Sequence, residues 1–211
     1  MIERREFLAC HWEPYLLCER EFLTLLDYVA LRRSNFGTCS EKIIRQLLMT
    51  CELFESIAKA MYVYPEEPRF PNYASSLISD SLFDSEAVIE VVRGAEAIEL
   101  KPFSGMTPSS APKWWSDHNK VKHDRAANFE FGCFENALKA LAGLYYVNLL
   151  FAKRIGDYWH GQLADHSDPN CRDVPNDISK LFETGSITTR HDVCGFESYA
   201  MTVEDVDAMF Q

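Results

Sequence analysis

The chain has 211 residues, of which 47% are hydrophobic and 13% aromatic, and its formal net charge is −11 at pH 7. This length and composition are typical of one globular domain with a sizeable core, and they exclude a predominantly disordered chain. The acidic balance argues against broad electrostatic attraction to nucleic acid or anionic lipid, so a polyanionic partner would need a local basic patch.

Three features favour a cytoplasmic protein without a membrane partner. The first ten residues, MIERREFLAC, mix charged and apolar side chains and lack the apolar run of a secretory signal. The seven cysteines include no CxxC pair, and we interpret them as reduced thiols. The most apolar stretch, 137–152, contains Lys139 and Asn148 and is shorter than the roughly 20 residues of a membrane span.

Apolar residues recur at helical spacing in two segments of the N-terminal half. Residues 13–34 predict a first amphipathic helix, and residues 39–63 predict a second. Thr38 and Glu41 have the spacing of a capping box, which would begin the second helix. Three prolines between positions 65 and 71 would end it.

Residues 72–112 have a different pattern and are expected to form an insertion. In the stretch 87–103, Val and Ile alternate with polar residues around Arg93 and Gly94. This alternation predicts a small β-hairpin, with a short helix as the alternative. Residues 104–112 have the composition of a loop.

The second half of the chain contains the predicted core helix, at roughly 127–155. Beyond it, residues 156–211 are polar and are expected to form a C-terminal extension, partly loop, with short helical patterns at 176–183 and 202–210. The predicted fold is therefore a mainly α-helical bundle at 1–155, with a small β-hairpin insertion and a polar C-terminal extension.

The stretch 114-WWSDHNKVKHDR-125 concentrates chemically active side chains on a helix that we predict from about residue 113. Helical spacing divides them into two stripes. The packing stripe comprises Trp114, His118 and Val121, and the chemical stripe comprises Trp115, Asn119 and His123. His118 and His123 lie about 140° apart around the helix axis, so they do not face each other on one straight helix.

Several of these side chains have the chemistry to act on RNA or a nucleotide. His123 could exchange protons near neutral pH, with Asn119 orienting it or holding a phosphate oxygen. Lys120, Lys122 and Arg125 could neutralise a phosphate. Trp115 could stack on a base. The structural alternative is that the tryptophans anchor the core, the charged residues form a solvated face, and His118 is a buried, hydrogen-bonded histidine.

The segment 118-HNKVKH-123 resembles the Arg-Asn-x-x-x-His signature of the HEPN superfamily, the helical "higher eukaryotes and prokaryotes nucleotide-binding" domains. Asn119 and His123 match that signature, whereas His118 stands in place of its arginine. The resemblance covers roughly residues 13–155.

The same family tends to carry an acidic residue on an earlier helix, followed four residues later by a basic or polar one. Glu55 and Lys59, in 55-ESIAK-59, fit that pattern. Without the resemblance, two residues at this spacing would be interpreted as a surface salt bridge.

The resemblance implies a helical bundle that often forms a homodimer, in which the signature residues of two protomers face a shared cleft. Active members look like metal-independent ribonucleases, in which histidine and arginine assist attack of a 2′-hydroxyl on the adjacent phosphodiester. On that basis His123 would be the acid/base group and Asn119 its orienter, with His118 and Arg125 near the phosphate. The resemblance further implies that the protein acts in a toxin or phage-defence system, with RNA or a nucleotide as partner and no cofactor.

A non-catalytic HEPN-like module, acting as a dimeric scaffold or as an RNA- or nucleotide-binding domain, is the alternative function. The C-terminal extension could then hold a protein partner. Two further polar groups lack a recognised metal-ligand spacing, so no metal site is predicted there. They are Asp165, His166 and Asp168, and His191 with Asp192 or Cys194.

Overall fold

The computed structural model describes residues 3–162 and 179–184. Its helices are α1 (Arg4–Phe7), α2 (Glu13–Leu25), α3 (Glu41–Met61), α4 (Phe70–Ile78), α5 (Lys113–His123) and α6 (Phe134–Gln162). Its strands are β1 (Ile89–Val91), β2 (Ile98–Leu100) and β3 (Phe182–Thr184), in one antiparallel sheet of order β2-β1-β3. The predicted mainly α-helical fold with a small β element is confirmed.

Helix α6 forms the centre of the hydrophobic core. It is apolar around most of its circumference between residues 134 and 152, as expected of a helix that is covered on all sides. Helices α2, α3 and α5 pack against it, α3 most extensively. Each large apolar side chain buried in this way contributes about 1.5–3 kcal/mol to folding.

The first helical segment begins earlier and ends earlier than the predicted 13–34. A π-helical turn at Leu8–Trp12 joins α1 to α2, and Phe7 and Trp12 extend the buried face towards the N-terminus. Helix α2 ends at Leu25, and the rest of the predicted segment forms turns and contacts with other parts of the fold. Arg33 donates to the carbonyl of Ala97 at 3.2 Å, for example.

Helix α3 lies within the predicted segment 39–63, but the predicted capping box is wrong. Ser40, not Thr38, is the N-cap residue, and its Oγ accepts a hydrogen bond from the Ile43 amide at 3.2 Å. Serine satisfies an amide that the first helical turn leaves without an intrahelical partner.

The sequence pattern does not predict helix α4, because the prolines at positions 65, 68 and 71 indicate the end of α3. Pro71 in fact lies in the first turn of α4, where its missing amide costs no intrahelical hydrogen bond. The Asn72 side chain accepts from the Arg69 amide at 2.9 Å and further fixes this start.

The predicted β-hairpin is confirmed as β1 and β2, with Ile89 opposite Leu100. Gly94 occupies the turn with φ of 87°, a conformation that side chains with a Cβ rarely adopt. Residues 104–112 contain turns and no helix, as their composition predicted.

A third strand, β3, was not predicted. Its residues Phe182–Thr184 pair with β1, so the helical pattern proposed for 176–183 is wrong where that segment is described. Three residues form a strand here because β1 offers them a partner edge. The other predicted helix, 202–210, lies outside the described residues.

The segment that carries β3 is held to α2 by a buried carboxylate. Glu19 is 2% exposed, and its Oε1 accepts from the Lys180 amide at 2.6 Å and from Ser179 Oγ at 3.2 Å. Tyr15 donates its hydroxyl proton to Glu19 Oε2 at 3.1 Å. Burial raises the pKa of Glu19 although these hydrogen bonds act to lower it.

The core helix begins at Phe134, later than the predicted position near 127, and it continues past 155 to Gln162. A short 3-10 helix at Phe129–Phe131 lies between α5 and α6. Over the described residues, no helix combines the length and the apolar character required to cross a membrane.

The start of α6 leaves no room for a side chain at Gly132. A Cβ there would collide with Cγ1 of Ile44, which is fully buried on α3. We expect Gly132→Ala to lower the free energy of unfolding by about 1–3 kcal/mol, the usual cost of overpacking. Urea denaturation measures this change.

Gly37→Ala is the matched control, because nothing lies within 4 Å of a Cβ at that exposed position. Gly37→Ala should change the free energy of unfolding by no more than about 0.5 kcal/mol. Equal losses in the two variants would contradict the steric explanation.

Candidate functional site

Helix α5 packs on the core through the predicted packing stripe. Trp114, His118 and Val121 are 1%, 3% and 1% exposed, respectively. Trp114 stacks edge-on against Phe54 of α3, with ring centroids 5.3 Å apart, and its indole nitrogen donates to the Pro102 carbonyl at 2.7 Å. These contacts fix the rotation of α5 about its own axis.

The chemical stripe becomes progressively more exposed towards the C-terminal end of α5. Trp115 is buried, Asn119 is half-buried and His123 is exposed. Asn119 and His123 are one turn apart on the same face. Neither side chain makes a hydrogen bond to another described residue.

Trp115 does not have a ring face available for a nucleotide base. It is 6% exposed and packs against Phe70 of α4 and Phe54 of α3, with ring centroids 5.2 and 5.5 Å apart. The predicted stacking role therefore has no geometric support, because aromatic packing already occupies the indole.

His118 is buried, as the structural alternative expected, but it is not fully hydrogen-bonded. Its ring packs against Trp115 with centroids 5.3 Å apart, and its Nδ1 has no hydrogen-bond partner. Burial, assisted by the positive charge of Lys122, lowers the pKa of His118 to about 4, although Glu55 opposes this shift. His118 is therefore neutral at pH 7 and cannot supply the permanent charge of an arginine.

One member of the predicted pair on α3, Glu55, lies near His118 of α5. Glu55 is close enough to act electrostatically on His118. It accepts a hydrogen bond from the Tyr73 hydroxyl at 3.2 Å and forms an ion pair with Lys59 at 3.4 Å. Lys59 makes a shorter contact of 2.6 Å with Glu67. The structure thus brings Glu55, rather than Lys59, towards His118.

The three cations predicted to neutralise a phosphate have different environments. Lys120 forms an ion pair with Asp117 at 2.8 Å and lies over the Phe131 ring. Arg125 forms an exposed ion pair with Glu41 at 2.9 Å. Lys122 is exposed and forms no ion pair with another described residue, so its ammonium is available for an anion.

The sequence pattern did not predict the buried carboxylate on α5. Asp117 is 2% exposed and accepts hydrogen bonds from Lys113, Lys120 and Asn136. Burial acts to raise the pKa of Asp117, but these three hydrogen bonds outweigh it and lower the pKa. The spacing of the two lysines from Asp117 could have indicated this cluster, whereas the contact with Asn136 of α6 depends on the fold.

Nothing in the described residues forms a metal centre. No group of three or more His, Cys, Asp or Glu side chains there could hold a metal ion. The two polar groups considered in the sequence, around His166 and His191, lie outside the described residues.

Comparison with family models, with curated proteins and with solved structures gave no match for this chain.

We predict that Asp117 anchors α5 to α6. Replacing it with alanine removes three charge-assisted or buried hydrogen bonds, so Asp117→Ala should lower the free energy of unfolding by about 1–3 kcal/mol. Asp27→Ala is the control, because Asp27 is exposed and should change stability by less than about 0.5 kcal/mol. If denaturant titration gives the same free energy of unfolding for the two variants, Asp117 does not anchor α5 to α6.

His118 should make the stability of the fold depend on pH. Between pH 6.5 and about 4 the unfolded chain binds a proton at His118 and the folded chain does not. The free energy of unfolding of the wild type should therefore fall by about 1–3 kcal/mol as the pH decreases across that window. This loss adds to the pH dependence that the wild type shares with a His118→Leu variant.

The measurement is denaturant unfolding of both proteins at a series of pH values. At pH 7.5 the two should agree within about 1 kcal/mol, because Nδ1 has no partner to lose. If the free energies of unfolding of the two proteins change with pH in parallel, His118 is not the titrating group.

Proposed function

We propose that this chain is a HEPN-like, metal-independent endoribonuclease in which His123 is the acid/base group and Asn119 orients it or the phosphate. The observation that carries the proposal is the environment of these two residues. They lie one helical turn apart, both reach solvent, and neither makes a hydrogen bond within the described part of the fold. Exposed polar side chains that are not used by the structure are candidates for binding and catalysis.

The chemistry follows from the available groups. His123 can take the proton of a 2′-hydroxyl as that oxygen attacks the adjacent phosphorus, or return a proton to the departing 5′-oxygen. The Asn119 amide can donate to a non-bridging phosphate oxygen, and the Lys122 ammonium can balance charge that develops there. The products would be a cyclic phosphate and a free 5′-hydroxyl.

One protomer supplies only part of this machinery. Two proton transfers are needed, and the second histidine of the signature segment, His118, is buried and neutral. The missing group would be supplied by His123 of a second copy, so the proposal includes a homodimer whose α5 helices face each other. It also includes the expected cytoplasmic location and a toxin or phage-defence setting.

The test is cleavage of a labelled RNA by the wild type and by His123→Ala, with a chelator present throughout. We expect the substitution to lower the cleavage rate by about 10²–10⁴-fold, the usual contribution of a general acid or base. A product with a 2′,3′-cyclic phosphate would identify the reaction. His11→Ala is the control histidine variant, because His11 packs against Phe7 and Phe151, and it should cleave at the wild-type rate.

A non-catalytic RNA- or nucleotide-binding module is the second candidate function. It is favoured by His118, because a buried neutral imidazole replaces the charged arginine of the signature. The same assay separates the two candidates. Retention of labelled RNA by the wild type without cleavage would support the binding module, and cleavage unaffected by His123→Ala would exclude His123 as the catalytic group.

A further inference from the structure

Two cysteines that are distant in sequence face each other at the starts of α3 and α6. Cys39 and Cys133 form an isolated antiparallel β-bridge. The Phe134 amide donates to the Thr38 carbonyl at 2.8 Å, so the hydrogen bond involves the neighbours of the cysteines. The two cysteines are therefore opposite each other at a non-hydrogen-bonded position.

This position suits a disulfide. Opposite residues at a non-hydrogen-bonded position have Cα atoms about 4.5 Å apart, and their side chains lie on the same face. A disulfide requires Cα atoms about 4.4–6.8 Å apart. The backbone therefore already holds Cys39 and Cys133 at a distance that a disulfide can span.

The environments of the two thiols are complementary. Cys39 is half-buried, so a small oxidant can reach it, and its Sγ donates weakly to the carbonyls of Gly37 and Glu130 at 3.3 and 3.4 Å. Cys133 is 8% exposed, and burial, together with the nearby Cys133 and Glu130, raises the pKa of Cys39, so the reactive thiolate is a minor form at neutral pH. Cys18 and Cys51, by contrast, are buried within the core.

We propose that Cys39 and Cys133 are a redox-sensitive pair that closes to a disulfide when the protein meets a peroxide. The Cys39 thiolate attacks one peroxide oxygen and the O–O bond breaks, which gives a sulfenic acid and, after protonation, water or an alcohol. The Cys133 thiol then displaces the sulfenic hydroxyl group as a second water. The two cysteines together lose two electrons and two protons, and the peroxide is reduced.

The bond would join parts of the fold that flank the candidate site. The disulfide would link Cys39, which precedes the Ser40 N-cap of α3, to Cys133, which precedes α6. Cys133 lies at the end of the segment that follows α5. The ion pair between Glu41 and Arg125 spans the same region. Oxidation would therefore restrict the segment that connects α5 to α6, and the proposal does not depend on ribonuclease activity.

The test is mass mapping of the purified full chain after treatment with hydrogen peroxide. Without reduction, protease digestion should yield one cross-linked peptide pair that contains Cys39 and Cys133, and a thiol reductant should separate it. The same mapping is repeated in a background with Cys10, Cys171 and Cys194 replaced by serine, which removes competing thiols.

Closure should also raise the midpoint of thermal unfolding by about 5–15 °C, because a long loop is closed in the unfolded chain. Cys39→Ser and Cys133→Ser should each abolish the cross-link and the shift. Recovery of Cys39 as a sulfinic acid or as a mixed disulfide with an added thiol, with Cys133 still reduced, would overturn the proposal.

Discussion

The apolar circumference of α6 is the constraint on which the rest of the structure depends. Four consecutive residues of α6, from Leu144 to Val147, are all buried and point to different sides of the helix, so α6 must be covered on every side to keep these surfaces from water. Helices α2, α3 and α5 each supply part of that cover. The position and rotation of α5, and hence of the candidate site, follow from the need to cover α6.

The same constraint explains why neighbouring polar residues on α5 have such different chemistry. The inner face takes His118 into the core, where no group satisfies its Nδ1 and the neutral form is favoured. Asp117 is equally buried, but two lysines and Asn136 surround it, so it stays ionised. His123 lies on the outer side of the last turn. Rotation of the helix relative to the core, rather than residue type, assigns these environments.

Periodicity was sufficient to predict the features that are local in sequence. It placed Trp114, His118 and Val121 on one buried face but did not predict that Trp115 is buried as well, and alternation predicted the hairpin of β1 and β2. It failed where a distant partner decides the outcome. The strand β3 forms because β1 offers it an edge, and the Asp117–Asn136 hydrogen bond joins two helices that the sequence cannot position relative to each other.

The electrostatics of α5 link the two parts of the functional proposal. A phosphate near His123 would approach the C-terminal end of a helix, where the backbone dipole is negative. Lys120 and Arg125 already have acidic partners, which leaves Lys122 to offset that dipole in a chain of net charge −11. In the proposed function, one protomer would therefore attract RNA weakly. Two α5 helices facing each other would double both the available lysines and the histidines, so the proposed catalysis by His123 would depend on the proposed pairing of two protomers.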